Sequence, residues 1–153
     1  MAPVKISYSD DKLRVAVDEQ LCVARWTDTP DPNHFGEVLR GAQSAAVGRR
    51  AVLFNVVDAP GKLPRFSDEV RRAAQRMSEG LIPITKVTAH VILMDGFTGA
   101  TVRMFLSTLT LLTRNGAPTK VFSALDEGSR WLSPHLTERA TSERIEAAHA
   151  TLR

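Results

Sequence analysis

The stretch AVLFNVVD, from Ala51 to Asp58, is a near-continuous apolar run with β-branched residues. It is long enough for one central strand, because a strand with one wet face would alternate apolar and polar positions. Whatever else the chain does, it has to build a sheet around this segment. Its 153 residues fit one domain able to bury a proper core without metal or disulfide support. With 43% hydrophobic and 24% charged residues the composition is that of a globular chain, not a disordered one.

Upstream of the strand, VKISYSDDKLRVAVDEQLCVARWTD holds three short strand-like runs separated by SDD and DEQ turns. Val15 and Val17 alternate with Arg14 and Ala16, and Val23 follows Leu21 at the same period, which predicts half-buried antiparallel strands. TPDPN breaks that pattern. Asp31 before Pro32 predicts a helix start. Phe35, Val38, Leu39, Ala42 and Ala46 then keep a helical period up to Gly48, the expected stop. Downstream, a helix is expected from Ser67 to about Gly80, with Val70, Ala73, Ala74 and Met77 on one face. KVTAHVILM is a second buried strand. GFTGATVRMFLSTLTLLTRNG is a third helix, opened through Gly96 and Gly99 and closed at Asn115 and Gly116. TKVFSA is a short strand, and Ser123 starts a helix carrying Trp131 and Leu132. From Pro134 onward the chain reads as a polar terminal helix of low core content. The predicted class is α/β, an α+β-like mixed sheet in the order β-β-α-β-α-β-α-β-α with helices packed on it. Residues 1–133 form the domain, opening on a strand pair or meander, and residues 134–153 an extra helical extension.

Candidate sites follow from position. Ser67 is placed to accept a backbone N–H bond from the first turn of its helix, with Asp68 and Glu69 at the positive helix end, a cap worth ~1 kcal/mol. The same exposed helix start would receive a phosphate on its free N–H groups, with Lys62, Arg65, Arg71 and Arg72 offsetting the nearby acids. Asp58 ends a strand, where open sheets place ligand and partner sites, and is read as a turn-forming residue bonded to the loop after it. In the third helix Val102, Phe105, Leu106, Leu109 and Leu112 form one apolar stripe, opposed by Arg103, Ser107, Thr110 and Arg114. Met104 and Leu111 fall outside the stripe and are a candidate dimer or ligand face.

Other chemistry is excluded or unsupported. The charge of +3 and pI near 9.4 come from basic residues interleaved with acids, as in SDEVRRAAQR, so no specific nucleic-acid partner is expected. The arginines of the third helix rule out a transmembrane segment. His34, His90, His135 and His149 lack metal-ligand spacing. His90, inside an apolar strand, is read as a hydrogen-bonded structural residue, and His34 as exposed near a helix start. GFTG is a turn into a helix, too short for a phosphate loop. Without a nucleophile elbow, paired carboxylates or a glycine-rich phosphate loop, no enzymatic activity and no cofactor are expected. Cys22, the single cysteine, is a buried inert thiol. No cationic leader precedes an apolar core, so a cytoplasmic protein is expected.

Several of these pieces match a known pattern. AVLFNVVD leads through a loop to the SDEVRRAAQ helix, HVILM is followed by a long apolar helix, and KVFSALDEGSRWL is a strand-then-helix ending with a Trp-Leu pair. Over roughly Val4 to Leu132 the chain resembles a STAS-like domain, the fold of anti-anti-sigma factors, and particularly bacterial STAS-like relatives of unknown role. The resemblance implies a regulatory, non-enzymatic domain that works through protein contacts. It also implies that Ser67 matches the phosphorylated position of regulatory members, although DAPGKLPRFSDE replaces their Asp-Ser-Ser-Gly type of turn. The expected function is binding of a protein partner, with self-association as a homodimer, through the loop from Asp58 to Phe66 and the helix start. Asp58, Leu63, Phe66, Asp68 and Arg71 would form that surface. The alternative expectation is a carrier of a small apolar molecule or lipid, suggested by the broad apolar face of the third helix.

Overall fold

The computed structural model describes residues 4–59, 66–112, 117–136 and 142–153, with the side chains at 97, 109–112 and 142 outside that description. Within it lie β1 (Lys5–Ser9), β2 (Leu13–Asp18), β3 (Leu21–Trp26), α1 (Pro32–Ala45), β4 (Ala51–Val57), α2 (Asp68–Leu81), β5 (Thr85–Ile92), α3 (Gly96–Leu112), β6 (Thr119–Phe122), α4 (Leu125–Leu132), a 3-10 turn (Ser133–His135) and α5 (Ser142–Ala150). The class is mixed α/β, as the element pattern predicts. One six-stranded sheet runs in the order β1-β2-β3-β4-β5-β6. The first three strands are an antiparallel meander, one strand more than the pair that opens the predicted nine-element order. From β3 to β6 every pairing is parallel.

Each parallel connection steps the same way along the sheet, and crossovers of one hand then place their helices on one face. That face carries α1, α2 and α3, whose Phe35, Val38, Val70, Ala73, Val102 and Leu106 pack against Leu13, Val15, Cys22, Ala24, Leu53 and Ile92. The opposite face would be bare apolar surface. It is covered by α4 and α5, with Leu132, Ile145, Ala148 and Leu152 over Ala16, Leu21, Val23, Val52, Phe54 and Val91. The expectation of a C-terminal helix with low core content is therefore corrected: Ile145, Ala148 and Leu152 are fully buried. The same cover corrects the half-buried reading for β3, while β1 stays largely exposed. Every residue of β3 except Arg25 is buried, since α1 closes one side and α5 the other. Arg144 ties α5 down, donating to both Asp18 carboxylate oxygens at 2.9 and 3.0 Å.

Local chemistry sets the helix ends. Asp31 and His34 form a capping box at the start of α1, and Pro32 occupies its first turn. His34 is only 1% exposed, a correction to its exposed reading. Its Nδ1 accepts the Asp31 backbone N–H, so the proton lies on Nε2, 2.7 Å from the Asp10 carboxylate. Burial would push Asp10 up, but hydrogen bonds from Tyr8, His34 and the backbone N–H groups of Lys12 and Leu13 hold it well below the usual carboxylate range. The helix expected to start at Ser123 begins two residues later, at Leu125. Cys22 is fully buried, and desolvation pushes its thiol up to about 12.

Gly96 and Gly99 let α3 start where it does. Gly96 has φ +67, a backbone that side chains rarely adopt. A Cβ at Gly99 would stand 2.1 Å from the Met94 carbonyl oxygen, so only glycine lets this turn of α3 press against the end of β5.

Candidate functional site

On the face covered by α1, α2 and α3, β5 is not uniformly apolar. Val87, Ala89 and Val91 point into the α4–α5 layer. Their alternates Thr88 and His90 face the other way, toward the layer between sheet and α3. Thr85 joins them because the β4–β5 register shifts between Ala51 and Val52, where the pairing jumps from Thr85 to Val87. These three side chains line a cavity of about 400 Å³. Leu53, Asn55 and Val57 of β4 continue its floor, and Trp26 closes the end toward α1. Phe35 and Val38 of α1, Met77 and Leu81 of α2, and Val102, Phe105 and Leu106 of α3 form its walls. Most of the lining is apolar, with polar side chains on the sheet (Asn55, Thr85, Thr88, His90 and Thr119), on the segment after β3 (Thr27, Asp28 and Thr29) and at Ser78 of α2, the composition of a small-molecule site.

Three polar side chains of the lining, Trp26, Asn55 and His90, form one connected chain. The Trp26 indole N–H donates to Asn55 Oδ1 at 2.6 Å, and Asn55 Nδ2 lies 2.9 Å from His90 Nδ1. An indole nitrogen can only donate, which fixes the Asn55 carbonyl toward Trp26 and its NH2 toward His90. Nδ1 of His90 is then an acceptor, and the neutral ring carries its proton on Nε2. Desolvation lowers the His90 pKa to about 4, so the ring stays neutral at physiological pH. The arrangement makes His90 a hydrogen-bond donor. Its basic nitrogen is occupied by Asn55, so it is ill-suited to act as a general base. Thr85, 3% exposed, keeps a buried hydroxyl oxygen without a hydrogen-bond partner among the described residues. Met94, at the rim, accepts the Ala59 N–H on its sulfur at 3.1 Å.

The positions singled out in the sequence fall in three places. Phe66 turns inward and stacks on Phe105 with ring centroids 4.0 Å apart, forming part of the cavity wall. Ser67 is the N-cap of α2, its Oγ accepting the Val70 N–H at 3.2 Å, and Ser67, Asp68 and Arg71 are exposed. Asp58 pairs with Arg25 of β3 at 3.3 Å and donates its N–H to the Trp26 carbonyl, while residues 60–65 of the loop it was expected to bond lie outside the described residues. Met104 points outward, 72% exposed. Leu63 and the Leu111 side chain lie outside the described residues. No group of three or more metal-ligating side chains occurs among the described residues. Nor does any described helix have the length and apolarity to cross a membrane.

Sequence reasoning missed Trp26, Asn55, Thr85 and Thr88. A signal existed: Asn55 is the single polar residue inside AVLFNVV, and Thr88 and His90 alternate with valine and alanine. That Asn55 stands beside His90 across β4 and β5 depends on register, which neither segment encodes alone. Comparison with protein-family models, with curated proteins and with solved structures finds no match to this chain.

Proposed function

We propose that the chain binds a small apolar molecule between the sheet and α3, acting as a carrier or ligand-sensing module. The observation that carries this reading is the cavity of about 400 Å³, within the ~300–1,000 Å³ range of sites that bury small ligands. The polar equipment of its floor supports binding over catalysis, because His90 donates and its basic nitrogen is engaged. Native mass spectrometry of freshly purified protein should retain a bound mass. The apolar fluorophore N-phenyl-1-naphthylamine should brighten on addition, and Val102→Phe, which fills the wall, should weaken its affinity about tenfold. Protein that carries no mass and leaves the fluorophore dark would sink the reading.

A second reading, a STAS-like protein-interaction domain acting from the start of α2, is favoured by the exposure of Ser67, Asp68 and Arg71 there. The inward packing of Phe66 reduces the apolar area available to it. If Ser67→Asp recovers the same partner in the same yield as the unaltered chain, the regulatory part of this reading is lost.

A further inference from the structure

We infer that the ligand is an uncharged molecule presenting a hydrogen-bond acceptor, such as a ketone, ester or amide oxygen, to the Nε2–H of His90, and is not a fatty-acid or phosphate anion. This rests on the cavity being a ligand site.

Charge is the first argument. Among the described lining residues there is no lysine or arginine, and the one charged side chain is Asp28, an acid. An anion desolvated against the described lining would find no cation there to pair with and one carboxylate to repel it. His90 does not supply the missing charge, because burial keeps it neutral down to about pH 4.

The second argument is the direction of the hydrogen bonds. Trp26 donates to Asn55 and Asn55 donates to His90, so the chain of three ends in a donor. Nε2 makes no hydrogen bond among the described residues, and the ring is half-buried at the cavity surface. A donor held by one hydrogen bond from Asn55, itself fixed by Trp26, selects a ligand acceptor at little orientational cost. Thr85, a residue of the same lining, also keeps a buried hydroxyl oxygen with no partner among the described residues. Buried polar groups in folded proteins are otherwise satisfied.

The test is a displacement titration of N-phenyl-1-naphthylamine from the full chain at pH 7.5 with three probes of equal chain length: 2-undecanone, n-undecane and undecanoate. The ketone is expected to bind about fivefold to tenfold more tightly than the alkane, the worth of one neutral hydrogen bond. The carboxylate should bind at least about tenfold more weakly than the ketone. In His90→Leu the ketone should fall to within about twofold of the alkane titrated against the same variant. If far-UV circular dichroism shows that His90→Leu does not fold, His90→Phe keeps a ring and removes both nitrogens, and the charge comparison needs no variant. Carboxylate binding equal to or tighter than ketone, ketone binding no better than alkane, or a preference that survives loss of the imidazole would each overturn the ligand class while leaving a ligand cavity in place. If neither the fluorophore nor any probe binds, the cavity reading falls along with it.

Discussion

Asn55 is held on both sides: its carbonyl takes the Trp26 indole proton and its amide gives one to His90. Asn55→Leu removes both bonds at once and strands a buried indole N–H. It should lower the unfolding free energy by about 2–3 kcal/mol, read from urea midpoints. Thr85→Val should do the opposite. Its hydroxyl is buried and unpartnered, so replacing it with a methyl of similar shape removes a desolvation penalty and should raise stability by ~1 kcal/mol. A destabilised Thr85→Val would mean that the hydroxyl already has a partner.

Among the elements, α5 differs most from its sequence reading. Ile145, Ala148 and Leu152 supply apolar cover, while Arg144 reaches Asp18 and lies 3.4 Å from Glu19. Arg14 and Arg25 both donate to the Leu152 carbonyl at 3.1 Å, fixing the chain just beyond the helix. Arg144→Ala leaves the Asp18 carboxylate buried without its partner, and should cost about 3 kcal/mol, the low end for breaking a buried pair because the guanidinium is partly exposed. Ile145→Ala should cost about 2–4 kcal/mol through lost transfer energy and a cavity. Both can be measured as shifts of the urea midpoint. On the other face, Gly99→Ala forces α3 away from Met94, and its signature should be a lower Tm together with weaker binding of the fluorophore.

At the scale of the whole molecule the two helical layers share an acid sensitivity. His90 sits in one layer and His149 in the other, and each has a pKa of about 4. Desolvation is the cause for His90. For His149 desolvation comes first, with the charges of Arg153 and Arg25 adding to it and Asp58 opposing. The unfolded chain binds these protons near pH 6.5, whereas the folded chain resists them until about 4. Stability should therefore be full above about pH 7 and fall as pH drops from 6.5 toward 4, by up to about 3 kcal/mol per histidine. Urea midpoints taken across that window should decline, and His149→Phe, which keeps an aromatic ring against Phe54, should flatten the slope. A flat profile in the unaltered chain would show that neither ring resists protonation.

The sequence by itself determined the elements and the class. AVLFNVVD had to be a central strand, TPDP and Gly48 had to bracket a helix, and Ser67 followed by two acids had to begin one, because apolar period and cap chemistry act within a few residues. It also carried the hint of Asn55 alone in an apolar run. What only the tertiary structure decided is everything set by contacts between distant segments. The polar-looking tail becomes core because three of its apolar side chains meet the bare back of the sheet. His34 is buried because β1 and β2 bring Tyr8 and Asp10 beside it. Trp26, Asn55 and His90 become one donor chain because parallel pairing aligns three strands that are 29 and 35 residues apart. Local sequence fixes which faces are apolar; register and helix placement fix which polar atoms share a cavity, and those depend on the whole chain closing at once.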